Sequence, residues 1–153
     1  MIILSLNAGS SSLKFKLFQI QDTSVLAEGM AQRIGFDEGM VEYRIGQQGE
    51  NNTYEMEVPD HKSALLFFLR MLAMQEDSVL SSLQDIEAVG HRVVHGGERF
   101  TVSTLVDADV VETIDACSHM APLHNPANLE VIRASMEALH PKTIPIPRLS
   151  LPA

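Results

Sequence analysis

An α/β domain built on a mixed sheet is the fold class this sequence predicts, and three observations predict it. The first half is a succession of short apolar or alternating runs separated by turn residues, as in a strand meander. The second half alternates helical spacing with a further strand-like run. The junctions carry Gly, Ser, Asn and Pro, the residues at which such elements stop. Strands in a row, then helices alternating with strands, fit a mixed sheet flanked by helices.

The opening run "MIILSLN" is apolar and β-branched with a turn signal behind it, and reads as a strand buried on both faces. "SLKFKLFQI" alternates, with Leu13, Phe15 and Leu17 on one face and Lys14, Lys16 and Phe18 on the other. "SVLAEGMAQRI" is compatible with a third strand. "MVEYRI" and "TYEMEV" flank the turn-rich "GQQGENN" and read as a hairpin or a long loop. In "DHKSALLFFLRMLAMQ", Asp60 is placed to cap a helix whose Leu65, Phe68, Leu69 and Leu72 share one face. "IEAVGHRVVH" reads as a buried strand broken by "GGERF". "DADVVETIDACSH" reads as a helix with Val110, Val111, Ile114 and Cys117 on one side. "PANLEVIRASMEAL" reads as a helix capped by Asn125, with Pro126 at its first position. The ending "TIPIPRLSLPA" has neither period, and its prolines, which cannot donate to a ladder, argue against a strand where one is expected.

Composition narrows the function classes. At 153 residues and 45% hydrophobic, the chain is long enough to bury a core and is not a disordered segment. A net charge of −9 opposes binding to nucleic acid or an anionic membrane surface. One cysteine, Cys117, forms no internal disulfide and no zinc pattern. With no basic leader before the short apolar start and no apolar run of roughly 18 residues, the expected location is the cytoplasm.

Three stretches carry candidate chemistry. "LNAGSSSLKF" puts Gly9, three serines and Lys14 directly after an apolar strand. Such a turn offers N–H groups, hydroxyls and a cation to an anion such as phosphate. It is not the Walker A pattern, and an ordinary Ser-rich hairpin has the same composition. "GHRVVHGGERF" holds His91, Arg92, His95, Glu98 and Arg99. An arginine at a buried strand's end needs an anion or carboxylate, either a ligand or an internal partner such as Glu98 or Asp107. The two histidines lack the helical metalloprotease pattern. "APLHNPANL" puts His124 ahead of a helix N-terminus, where it can stabilise developing negative charge or merely satisfy the loop. His61, His119 and His140 read as surface or cap residues, and the eight methionines as core filler.

In this order and at this separation, the three stretches closely resemble the acetate kinase family of acetate and propionate kinases. The resemblance runs from residue 1 to about 140. It implies a ribonuclease-H-like domain, the first of two in an actin-like ATPase fold. The implied reaction is reversible transfer of the ATP γ-phosphoryl group to acetate, giving acetyl phosphate and ADP, with Mg²⁺. By position, Asn7 matches the residue near the metal. Ser10, Ser12 and Lys14 match residues around the nucleotide phosphates. Arg92 matches the arginine on the acetate carboxylate, Val94 and Leu123 match part of the methyl pocket, and His124 matches a histidine close to the transferring phosphoryl. The physics agrees: a carboxylate acceptor and a polyanionic donor repel each other, and fixed cations with Mg²⁺ offset that repulsion.

The departures are as specific. The family's Phe-Asp-Thr-Ala-Phe-His, with its catalytic Asp, is replaced by "TIPIPRLSLPA". The expected organisation is an N-terminal acetate-kinase-like domain over 1–141 and a non-matching Pro-rich tail over 142–153, with the second domain not represented. A shifted reading frame produces such an abrupt loss, an expectation that sequencing the gene beyond the Leu139 codon tests. Family members are homodimers, and the dimer contact is assigned to the missing part. The implied function is a phosphotransferase whose present chain is inactive alone. The rival readings are a small-anion-binding domain without catalysis and a gene remnant without function.

Overall fold

The computed structural model describes residues 1–73, 78–93 and 106–139, together with the backbone of 144–149. Strands β1 (Ile2–Ala8), β2 (Ser12–Gln19), β3 (Ser24–Gln32), β4 (Met40–Ile45) and β5 (Asn51–Glu55) form an antiparallel meander. Helix α1 (His61–Ala73) then leads to β6 (Ile86–Val93), which pairs parallel to β1. Helices α2 (Ala108–Ala116) and α3 (Asn125–Leu139) follow, and β7 (Ile144–Leu149) pairs parallel to β6. Among the described residues the sheet runs β5-β4-β3-β2-β1-β6-β7. It changes from antiparallel to parallel at β1.

The alternation in β2 decides which face is covered. Leu13, Phe15 and Leu17 are buried while Lys14 and Lys16 are exposed. In register with them, Leu4, Leu6 and Ala8 of β1 and Ala27 and Ala31 of β3 carry the same face. Helix α1 packs on it with Leu65, Phe68, Leu69 and Leu72, the stripe read from their spacing. The Phe15 and Phe68 rings meet with centroids 4.4 Å apart. Helix α3 adds Val131 and Ala134 to this core, and Leu129 and Ile132 to a smaller cluster with Val93 of β6 and Val110 and Ile114 of α2.

Asp60 does cap α1: its carboxylate accepts from the Ser63 N–H at 2.7 Å. Hydrogen bonds from the Ser63 side chain and backbone hold the Asp60 carboxyl below its ordinary value. Asp60→Ala is expected to cost about 1 kcal/mol, measured as a lowered urea midpoint at unchanged slope.

Three expectations need correction. The first strand is not covered on both faces: Ile3, Ser5 and Asn7 are only half-buried, because α1 and α3 pack on the opposite face. Helix α3 starts one residue early, with the His124 carbonyl accepting from the Asn128 N–H at 2.9 Å, so His124 takes the cap position. The prolines do not prevent a strand at 144–149. Pro145 and Pro147 are two residues apart, so their missing donors lie on one side of β7. At a sheet edge that side needs no partner, and β7 stays in register with β6 from Ala88 opposite Ile144 to Val93 opposite Leu149.

Candidate functional site

The switch from antiparallel to parallel pairing brings the three sequence motifs to one place. Asn7 and Lys14 are direct cross-strand partners at the C-terminal end of β1. Leu6 lies opposite His91 in the parallel pair, so Arg92 of β6 follows at the same level as Asn7. Alternation puts Asn7, Lys14 and Arg92 on the sheet face opposite the helical core. His124 closes the row from the end of the loop that enters α3. A cavity of about 340 Å³ is lined by Asn7, Ala8, Gly9, Ser12, Lys14, Arg92 and His124.

The turn between β1 and β2 is built to present donors. The Gly9 N–H donates to the Ser12 carbonyl at 2.9 Å and closes the turn. A side chain at position 9 would sit 2.5 Å from the Ser12 hydroxyl, so glycine is what lets that hydroxyl lie over the turn. Three further carbonyls near the tip, those of Ala8, Gly9 and Ser11, are occupied from the protein side. The Asn128 amide donates to the Ala8 carbonyl at 3.0 Å, and the Ile34 N–H donates to the Ser11 carbonyl at 2.9 Å. His61 Nε2 lies 2.7 Å from the Gly9 carbonyl. Carbonyl oxygens repel anions. With these engaged, the turn lines the cleft with Gly9, Ser12 and Lys14.

Among the described residues lining the cavity there is no carboxylate. Two cationic side chains, an imidazole and the start of α3 face it, so its field favours anions. The wider groove on the same sheet face differs. There Glu28 receives Arg44 at 2.7 Å and Lys16 at 3.8 Å, so cation and carboxylate balance.

The remaining expected residues are placed unevenly. Ser10 is exposed at the tip and Leu123 is 69% exposed beside His124, and neither lines the cavity. Val94, His95, Glu98 and Arg99 lie outside the described residues, and so does His140. Arg92 is exposed, while its neighbours His91 and Val93 are buried. His119 is exposed, as expected, with Nδ1 2.8 Å from the Ala116 carbonyl.

Sequence reasoning missed two residues of the tip. His61, read as surface or cap, is 6% exposed and holds the Gly9 carbonyl. Asn128 was not singled out at all and is 3% exposed. A signal for Asn128 did exist. Asn125, Asn128, Ile132 and Ser135 form a stripe at helical spacing, and polar residues on a buried stripe require partners. Asn125 finds the Ile114 carbonyl at 3.3 Å, and Ser135 finds His91 at 3.0 Å.

Comparison with known proteins agrees with the fold. An acetate kinase of Thermotoga maritima is 46% identical over 139 residues, covering 91% of this chain and 34% of the relative. One of Coprothermobacter proteolyticus is 48% identical over 140 residues, with the same coverage. The crystal structure of Porphyromonas gingivalis acetate kinase superposes with a TM-score of 0.88 at 34% identity, over 97% of this chain and 37% of that one. A propionate kinase from Francisella tularensis superposes with a TM-score of 0.83, also at 34% identity, over 97% of this chain and 36% of that one. The chain thus spans about a third of the length of the relatives it matches. The mixed sheet with its flanking helices is the fold expected from the three motifs. The Acetokinase family model matches residues 2–145, across all three motifs and into β7, and the chain belongs to that family.

Proposed function

We propose that this chain forms one wall of a phosphotransfer site, in which the γ-phosphoryl group of ATP passes reversibly to acetate. One observation carries the reading. The cavity gathers Asn7, Ser12, Lys14, Arg92 and His124 from three separate motifs, with no carboxylate among its described lining residues. Residues so far apart in the chain converge on an anion-favouring cleft, in a family whose members include acetate and propionate kinases.

In this reading the β1–β2 turn and Lys14 take the nucleotide phosphates, and Ser10 joins from the exposed tip. Arg92 takes the acceptor carboxylate in a planar two-point grip that a lysine would not reproduce. His124 stands where charge grows on the transferring group. Val94 and Leu123 are proposed as parts of the apolar wall for the methyl group. The donors around the cavity are neutral oxygens and nitrogens apart from the cations. They fit a Mg²⁺ that keeps its waters and takes its charged ligands from the phosphates, with the Asn7 amide oxygen as one contact. When bound, that ion supplies charge neutralisation between the two anionic substrates. A cytoplasmic setting and a homodimeric whole protein belong to the same proposal. Among the described residues no helix is long and apolar enough to cross a membrane.

The test is a titration of the 153-residue chain with MgATP and, separately, with acetate, followed by amide chemical shifts. Lys14→Ala is expected to weaken MgATP about tenfold and leave acetate alone, since it removes a charge-assisted contact. Arg92→Ala is expected to do the reverse. Turnover by the chain alone, trapped as acetyl phosphate, is expected to be undetectable, because a single wall supplies too few groups for transfer. No saturable MgATP response in the unmodified chain would overturn the reading.

A further inference from the structure

Gly9 makes the tip of the β1–β2 turn easy to rearrange, since glycine takes up many backbone conformations at little cost. A peptide that turns over exchanges its carbonyl for its N–H. At the tip of a phosphate-facing turn, that exchange would replace a donor by a repelling oxygen. Two contacts from distant helices oppose it. His61, the first residue of α1, lies with Nε2 2.7 Å from the Gly9 carbonyl. Asn128, in the first turn of α3, donates to the Ala8 carbonyl at 3.0 Å. Both side chains are almost fully buried.

We infer that His61 and Asn128 are positioning residues that clamp the peptides on either side of Gly9, with their carbonyls turned toward the helices. Because carbonyl and N–H are antiparallel in a trans peptide, a Gly9 carbonyl turned to His61 points the Ser10 N–H the opposite way. The clamp fixes which groups of the turn an anion meets, without either side chain lining the cavity.

The two clamps are also joined to each other. The other ring nitrogen of His61, Nδ1, lies 3.5 Å from the Glu130 carboxylate of α3, and the Lys62 N–H donates to Glu130 at 3.4 Å. Glu130 thus sits at the positive end of α1, where a carboxylate is favoured, and ties that end to the helix that carries Asn128. The Gly9 carbonyl can only accept, so Nε2 is the ring nitrogen that donates to it. An apolar residue at 61 donates no hydrogen bond and would leave the Gly9 peptide free to turn.

This inference rests on the nucleotide reading for its purpose but not for its geometry, and the experiment separates the two. His61→Leu removes the donor while keeping bulk, and His61→Gln returns an N–H at nearly the position of Nε2. Asn128→Ala is the second variant, in case either His61 change unfolds the chain. Amide order parameters at Gly9, Ser10 and Ser11 are read in each full-length chain, alongside the MgATP dissociation constant and the melting temperature. His61→Leu and Asn128→Ala are expected to lower the tip order parameters and to weaken MgATP about tenfold. His61→Gln is expected to keep tip order and to bind within about threefold of the unmodified chain. A tip that stays equally ordered in His61→Leu overturns the clamp. A disordered tip with unchanged MgATP affinity overturns its role in binding. If the unmodified chain binds no MgATP, the nucleotide reading fails, and the order parameters alone decide the clamp.

Discussion

Acid is expected to unfold this protein through one histidine. His91, on β6 beside Arg92, is 2% exposed. Its Nε2 lies 3.0 Å from the Ser135 hydroxyl. That hydroxyl donates to the Ile132 carbonyl at 2.8 Å, so the ring N–H is the donor to Ser135. Burial pushes the imidazole down from 6.5 to about 3. In the unfolded chain it titrates near the ordinary value of about 6.5. Between these limits the unfolded state binds a proton that the folded state refuses, so stability falls as pH falls through that window and levels off near 3. At roughly 1.4 kcal/mol per pH unit, the whole window is worth about 5 kcal/mol, comparable with the total stability of a small domain. Urea unfolding at pH 7 and pH 4.5 is expected to differ by about 2–3 kcal/mol from this group alone. His91→Gln, which keeps an N–H for Ser135 and does not titrate, is expected to remove that part of the difference. Equal pH dependence in both chains would sink the prediction.

Gly29→Ala is expected to be the most damaging small substitution in the sheet. Gly29 lies in β3 between Phe15 of β2 and Tyr43 of β4. A methyl there would come 2.5 Å from the Glu42 carbonyl, 2.6 Å from the Phe15 ring and 2.9 Å from Tyr43 Cβ. The Phe15 ring lies across the bare glycine and cannot retreat, because Phe68 stands behind it at 4.4 Å between centroids. The Glu42 carbonyl is backbone and cannot turn aside. Overpacking of this kind costs about 3 kcal/mol, a fall in melting temperature of roughly 10 °C for a chain of this length. Adding Phe15→Leu is expected to restore only part of it, since the clash with the β4 backbone remains. Full restoration would show that the ring alone set the limit, and an unchanged melting temperature for Gly29→Ala would refute the packing argument.

How much of this was legible beforehand depended on whether a residue's role is local. The strand at Ser12–Gln19 and the helix at His61–Ala73 were readable because burial on one face imposes a period, visible in Leu13, Phe15 and Leu17 and in Leu65, Phe68, Leu69 and Leu72. The cavity residues Asn7, Ser12, Lys14, Arg92 and His124 were readable because each sits in an unusual motif. Helix α3 and the β6 strand were located, yet the parallel pairing of β6 with β1 leaves no mark in either segment. His61 and Asn128 were missed for the same reason: their partners, Gly9 and Ala8, lie in another element. The strand at Ile144–Leu149 escapes a sequence reading because proline counts against a central strand but not against an edge one. An edge strand tolerates what a central one does not.

The clamp on the turn also bears on how the molecule assembles. The β1–β2 hairpin closes from neighbouring residues. His61 reaches Gly9 across 52 residues of chain, and Asn128 reaches Ala8 across 120. Contacts that span long stretches form late, after the loop-closure entropy has been overcome. The meander therefore exists as a loose ribbon before its tip has a defined shape, and the anion-facing geometry arrives with the docking of α1 and then of α3. In a chain emerging from the ribosome, the first motif to be made is the last to become competent.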